Sequence, residues 1–306
     1  MRIQSKNNAA KQHRSLPHNT FSVHSLIYVV DAAKNTVKFM TSYKLEAGTA
    51  QHIGERPQQN DRTALFTGAR APGFVLAVVA DGHLEATAAE QLLFSAKQLF
   101  DEFKPADNPS VARIDALLRN IVAETHLISK MNGVRSNTEP TSSAALLVLT
   151  PEGRAVWVHV GDCRVYRLSG GQCAERSNDA AYVDQLVNVE HLPLEAAKSH
   201  RRTPLLNNVI GNKQRAPFVT SGSVEGIQAG DAFLLCSDGL WSFFTEAEFA
   251  AVCSKNTPRQ AAEMLIKKGG ERAKGKADNM SMAILRLVDP PKDAANYTVQ
   301  KMGKAV

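Results

Sequence analysis

Four aspartates stand where apolar or loop segments end. Asp61 follows the polar loop 54–60, Asp81 and Asp238 each end an apolar run and precede glycine, and Asp278 precedes a last apolar run. Singly, Asp-Gly and Asp-Asn are ordinary turn dipeptides. Brought together, they need another account, because two unit charges ~4 Å apart repel by about 4 kcal/mol near a protein surface. Protonation or a cation would have to hold such a group together. All-oxygen ligands with no His/Cys cluster favour a hard cation, magnesium or manganese, over zinc.

Such acids need rigid supports. Phe74–Ala80 is continuously apolar and valine-rich, which suits a strand covered on both faces. Asp81-Gly82 breaks the run, and Gly82 permits a sharp turn and close approach to the backbone. Asp231–Ser237 running into Asp238-Gly239 repeats that pattern, so two strands are expected to build one site. Around them the sequence predicts a hairpin of Val23–Val30 and Thr36–Tyr43, then strands at Gly48–Ile53, Thr63–Thr67, Ser143–Thr150, Arg154–Val160, Cys163–Leu168, Phe218–Val224 and Met280–Val288. Apolar spacing of three to four predicts helices at Glu85–Phe103, from Ser110 to about Met131, Thr245–Cys253 and Arg259–Arg272. The polar span Ser177–Pro217 reads as an excursion with short helical pieces near Ala181–Val189 and Leu194–Ser199. Meander-like strands with inserted helix pairs point to packed antiparallel sheets with helices outside.

The chain of 306 residues is long enough for one large core. Its net charge of +6 belongs to the first 44 residues, which hold seven Lys/Arg against one acid; the remainder is balanced. That arm, with residues 1–20 expected to be disordered, reads first as a solvated arm, with contact to an acidic partner or nucleic acid as the alternative. Cys163, Cys173, Cys236 and Cys253 form no C-x-x-C pair and fit free thiols of a reducing compartment. No apolar stretch reaches the ~18 residues of a membrane span, and no secretion signal is seen, so a cytoplasmic, monomeric protein is expected.

The motifs now align in order. Arg56 is followed at plus four and plus five by Asn60-Asp61. Then come Asp81-Gly82-His83, Thr141-Ser142-Ser143, Gly161-Asp162-Cys163-Arg164, Ser237-Asp238-Gly239-Leu240-Trp241 and Asp278-Asn279-Met280-Ser281. In this series the sequence resembles the metal-dependent protein serine/threonine phosphatases, the protein phosphatase 2C (PPM) family, from about Ala47 to Val288. The resemblance implies an α+β fold, a four-layer αββα sandwich of two antiparallel sheets flanked by helix pairs, with the phosphatase domain at 45–289; the residues outside it read as a hairpin extension at 21–44 and a loosely ordered tail at 290–306. It implies two divalent ions, manganese or magnesium: Asp81 bridging both with the Gly82 carbonyl, Asp238 and Asp278 on one, and Asp61 acting through water. Asp162 matches a position that, with Asp238, holds a weaker third metal. Two cations suit hydrolysis of a phosphoserine or phosphothreonine in a protein substrate by an activated water. Arg56 would grip the phosphate with its planar fork, and His83 would act as general acid.

Two departures stand out. The family usually continues Asp-Gly-His with glycine or a small residue, whereas Leu84-Glu85 follow here and bring an extra acid near the site; Asn60 replaces a usual acid. They motivate one alternative, a phosphatase fold that serves only as a binding or regulatory module. Cys253 and Arg259 have the C-x5-R spacing of cysteine-dependent phosphatases, but Pro258 removes a backbone donor that such a loop needs.

Overall fold

The computed structural model describes residues 23–26, 43–105, 108–177 and 208–289. The first 20 residues, the helical pieces expected within 181–199 and the tail beyond 289 lie outside the described residues.

Strands β1 (Val23–Leu26), β2 (Lys44–His52), β3 (Arg62–Gly68) and β4 (Ala71–His83) lead into helices α1 (Thr87–Glu102) and α2 (Val111–Ser136). Strands β5 (Thr141–Leu149), β6 (Arg154–Val160), β7 (Arg164–Ser169), β8 (Gln172–Arg176), β9 (Thr220–Glu225) and β10 (Ala232–Cys236) follow. The short α3 (Asp238–Trp241), then α4 (Glu246–Lys255), α5 (Pro258–Ala273) and β11 (Met280–Val288) complete the described chain. One sheet has the order β1-β2-β11-β10-β7-β8 and the other β3-β4-β5-β6-β9, and their pairings are antiparallel.

The continuous apolar runs are explained by burial on both faces. Along β4, Leu76, Val78 and Ala80 face α1 and α2, while Val75, Ala77 and Val79 face the other sheet. In β10, Phe233 and Leu235 point between the sheets, and Leu234 and Cys236 meet α4 and α5. With a side-chain period of two, such strands join three apolar layers and give the order α-β-β-α. Helix starts follow the expected chemistry. Ser110 accepts from the Arg113 amide, and Thr245 and Thr257 each close a capping box, with Glu248 and Gln260.

The departures have local causes. The strand β4 does not stop at Asp81: it stays paired through Asp81↔Ser143, Gly82↔Ser142 and His83↔Thr141, and the turn comes at Leu84. Val23–Leu26 pairs with Leu45–Gly48 of β2, while the expected hairpin partner Thr36–Tyr43 lies outside the described residues except for Tyr43. α2 runs a turn past Met131 to Ser136, where Asn137 caps it in the left-handed region, and Gly133 is closely packed: a Cβ there would come 2.8 Å from both Pro140 and the Thr138 carbonyl. β8 carries no apolar signal, being a polar edge strand joined to β7 by Gly170-Gly171, both with positive φ as a two-residue hairpin turn requires.

Leu147 is fully buried between the sheets. Leu147→Ala should cost about 2–5 kcal/mol, read as a lower urea midpoint at unchanged slope. Val134→Ser, on the exposed side of α2, should stay within about 0.5 kcal/mol of the parent.

Candidate active site

Every expected acid arrives at one place, because the ends of β4, β10 and β11 meet at the same edge of the two sheets. Asp81, His83, Asp162, Asp238, Asp278, Gly82 and Arg56 line a cleft of about 500 Å³. Asp81, His83 and Asp162 each offer a ligand atom within 4.8 Å of the others. Asp61 lies behind the wall, 1% exposed, with Oδ2 accepting from Ser237 Oγ at 2.8 Å.

Burial dominates the electrostatics. It holds the Asp81 carboxyl well above the usual carboxylate range, reinforced by Asp61, Asp238 and Asp162. Burial likewise pushes Asp61 up to about 6, opposed by hydrogen bonds from Ser237 and Ser281. Asp61 Oδ1 and Asp162 Oδ1 are buried and face no hydrogen-bond donor. Buried carboxylate oxygens without donors, in a cluster that resists ionisation, fit a hard divalent cation held by oxygens.

The loops are fixed by backbone contacts. Asn279 accepts from the Asn60 amide (2.7 Å) and donates to the carbonyls of Ile53 (2.8 Å) and Gln58 (3.0 Å), lacing loop 53–60 to the start of β11. At Gly239 a Cβ would lie 1.9 Å from the Asn279 carbonyl, so α3 begins against the same strand. Gly161 has φ +77° and turns Asp162 into the cleft; the Asp162 carbonyl accepts from Trp241 Nε1 at 2.8 Å, and Arg164 stacks on that indole at 3.4 Å. The sequence carried Asn279, Ser237 and Trp241 only as motif letters. Their bonding roles appear once the loops are placed, although each adjoins an acid or lies within a turn of one.

Other expectations are refined. Arg56 reaches the rim, where its Nη2 donates to Asp278 Oδ2 at 2.6 Å. His83 stands in the strand with Nδ1 3.3 Å from Thr141 Oγ1 and Nε2 3.5 Å from Ser143 Oγ. Burial lowers its pKa, while Asp162 and Asp278 pull it the other way. Gly82 is needed for close approach rather than for a turn: a Cβ would meet the carbonyls of Asn60 and Glu85 at 2.7 Å. The turn belongs to Leu84, whose φ is +65°, with the Glu85 amide donating to the His83 carbonyl at 2.8 Å. A left-handed conformation costs a residue other than glycine about 1–2 kcal/mol. The expectation of Glu85 as an extra acid at the site is corrected: its side chain accepts from Thr138 Oγ1 at 3.5 Å and is no part of the cleft wall. Cys253 lies buried in α4 with its thiol pushed up to about 12, unsuited to a nucleophilic thiolate.

No protein-family model matches the chain. In sequence it is similar to the serine/threonine protein phosphatase PstP of Mycobacterium tuberculosis, at 26% identity over 233 residues, covering 75% of this chain and 43% of that protein. The chain thus spans less than half the length of that relative. In structure it resembles the serine/threonine phosphatase of S. agalactiae, with TM-score 0.64, 20% identity, and coverage of 80% of this chain and 100% of that one. It also resembles the catalytic domain of PstP in complex with two manganese ions, with TM-score 0.56, 23% identity, and coverage of 80% and 99%. At these identities the structural likenesses establish the fold.

Two outcomes follow from the geometry. Asn279→Asp should lose two buried donations, lowering stability by about 2–3 kcal/mol and speeding amide exchange in loop 53–60. A carboxyl held up to about 6, such as Asp61, binds a proton in the folded state that the unfolded chain releases near pH 4. Metal-free protein should therefore lose stability as pH rises through ~4–6, and thermal melts in chelator at stepped pH would reveal it.

Proposed function

We propose that the chain is a member of the protein phosphatase 2C-type (PPM) family of metal-dependent serine/threonine phosphatases, to whose members it is similar in sequence and fold, and that it hydrolyses phosphoserine and phosphothreonine in protein substrates. The observation that carries the reading is the meeting of Asp81, Asp162, Asp238 and Asp278 with Arg56 and His83 in one cleft, over buried Asp61.

Two manganese or magnesium ions would be held by Asp81, the Gly82 carbonyl, Asp238 and Asp278, with Asp61 acting through water and Asp162 and Asp238 available to a weaker third ion. Such ions supply an acidified water and offset charge on phosphoryl oxygens. The protein's own groups do the rest. Arg56, at the rim, presents a planar fork that matches two phosphoryl oxygens. His83 delivers a proton to the departing alkoxide, and burial, which lowers its pKa, makes its imidazolium a readier donor. Thr141 and Ser143 hold the ring in place from the neighbouring strand. Asn279 fixes the loop that carries Arg56.

The alternative, a fold retained only for binding, was motivated by Leu84-Glu85. The turn at Leu84 leaves Asp81, Gly82 and His83 in register on β5, which favours catalysis. We further propose that the domain spans 45–289, that the chain acts as a cytoplasmic monomer, and that the basic arm 1–44 engages an acidic partner. Among the described residues no helix is long and apolar enough to cross a membrane.

The test is hydrolysis of a phosphothreonine peptide by metal-stripped protein titrated with manganese, then magnesium. Turnover should depend on metal, and Asp81→Asn and Asp238→Asn should each reduce it at least ~100-fold while remaining folded. Manganese at 100 times its Kd should stabilise the parent by about 2.7 kcal/mol, and calorimetry should show that gain lost in both variants. Absence of both turnover and metal binding in the parent would favour the binding-module alternative.

A further inference from the structure

Leu84 combines two unfavourable features in one place. Of four non-glycine residues with positive φ among the described residues, Asn108 and Asn137 are of a type that tolerates it, and Lys274 ends α5. Leu84 alone is apolar, and it ends no helix. It is also 90% exposed, more than any other large apolar side chain described. A glycine would relieve both the strain and the exposure. Backbone strain and an exposed apolar side chain at a cleft are features that a structure keeps where they serve the site.

Its position indicates what it serves. Leu84 and Pro57 are the two apolar side chains in a cleft wall otherwise made of charged and polar residues and Gly82. Leu84 is next in the chain to His83, and the turn is pinned by the Glu85 amide on the His83 carbonyl and by the tight fit at Gly82. The backbone of the turn is therefore fixed, and Leu84 stands in the cleft wall with its side chain exposed. If His83 serves the oxygen of the phosphorylated residue, the substrate residue one step along the chain lies ~3.8 Å further between Cα atoms, on the scale of the step from His83 to Leu84.

We propose that Leu84 is a specificity-determining residue that selects substrates with an apolar side chain beside the phosphorylated residue. This rests on the phosphatase reading above. The contact is a partial burial of two apolar side chains, worth roughly five- to tenfold in affinity.

The experiment uses the full chain, manganese-loaded, and phosphothreonine peptides with leucine or serine at each position from two before to two after the phosphorylated residue. Fluorescence anisotropy gives Kd and steady-state assays give kcat/KM. Leucine should be preferred roughly five- to tenfold at a position adjoining the phosphothreonine, with the gain in Kd and KM rather than kcat. Leu84→Ser and Leu84→Gly should bring that ratio below about two, and Leu84→Met should keep it. A role confined to the turn would move melting temperature without moving the ratio or its rescue by methionine. An equal ratio in parent and variants, or no preference at any position, overturns the proposal. Binding that shows the preference without turnover would defeat the phosphatase reading and leave the assignment of Leu84 standing.

Discussion

The structure turns on mutual repulsion among carboxylates. Asp61 and Asp81 are both raised by burial; Asp61, Asp238 and Asp162 add to the field at Asp81, and Asp278 adds to that at Asp61. A folding chain gains nothing from gathering such groups. The sheets, the capped helices and the laced loops supply the stability that keeps them together. The arrangement therefore fits a cation-binding site, since only a cation or protons would make the cluster favourable in itself.

The manner of gathering is economical in elements. β4 brings Asp81, Gly82 and His83, the end of β10 leads directly to Asp238, and the residues before β11 bring Asp278 and Asn279. Because these strands are buried on both faces, a shift of one residue would exchange two apolar layers as well as move the acids. Ser237 joins both sheets' contributions: its hydroxyl donates to Asp61 and accepts from the Ser281 amide. Packing and site geometry are thus specified by the same register.

Much of this was legible in the sequence. Runs such as Phe74–Ala80 and Ala232–Cys236 announce double-sided burial, and the acids at their ends announce a site. What the sequence concealed was governed by contacts between distant segments. Gly82 looked like a turn residue because Asp-Gly usually is one, but the carbonyls of Asn60 and Glu85 press on it from segments that the local pattern does not connect. Leu84-Glu85 looked like an extra acid brought near the site, yet the left-handed turn at Leu84 sends the Glu85 side chain towards Thr138. Asn279 gave no local sign of bonding three backbone groups, since its partners lie more than 200 positions away. β8 has too little buried apolar surface to leave a pattern.

The pairing of Val23–Leu26 with β2 has a bearing on how this molecule behaves among copies of itself. Without that strand, Leu45–Gly48 would present a row of unmet amides and carbonyls at the margin of a five-stranded sheet, a ready template for another chain. The segment that carries the net positive charge thereby also supplies the edge of the sheet, and an edge strand of four residues is a shorter template than β2 would be. Solubility and the electrostatics of the arm are consequently joined in one stretch of sequence, and trimming the chain to its sandwich would alter both together.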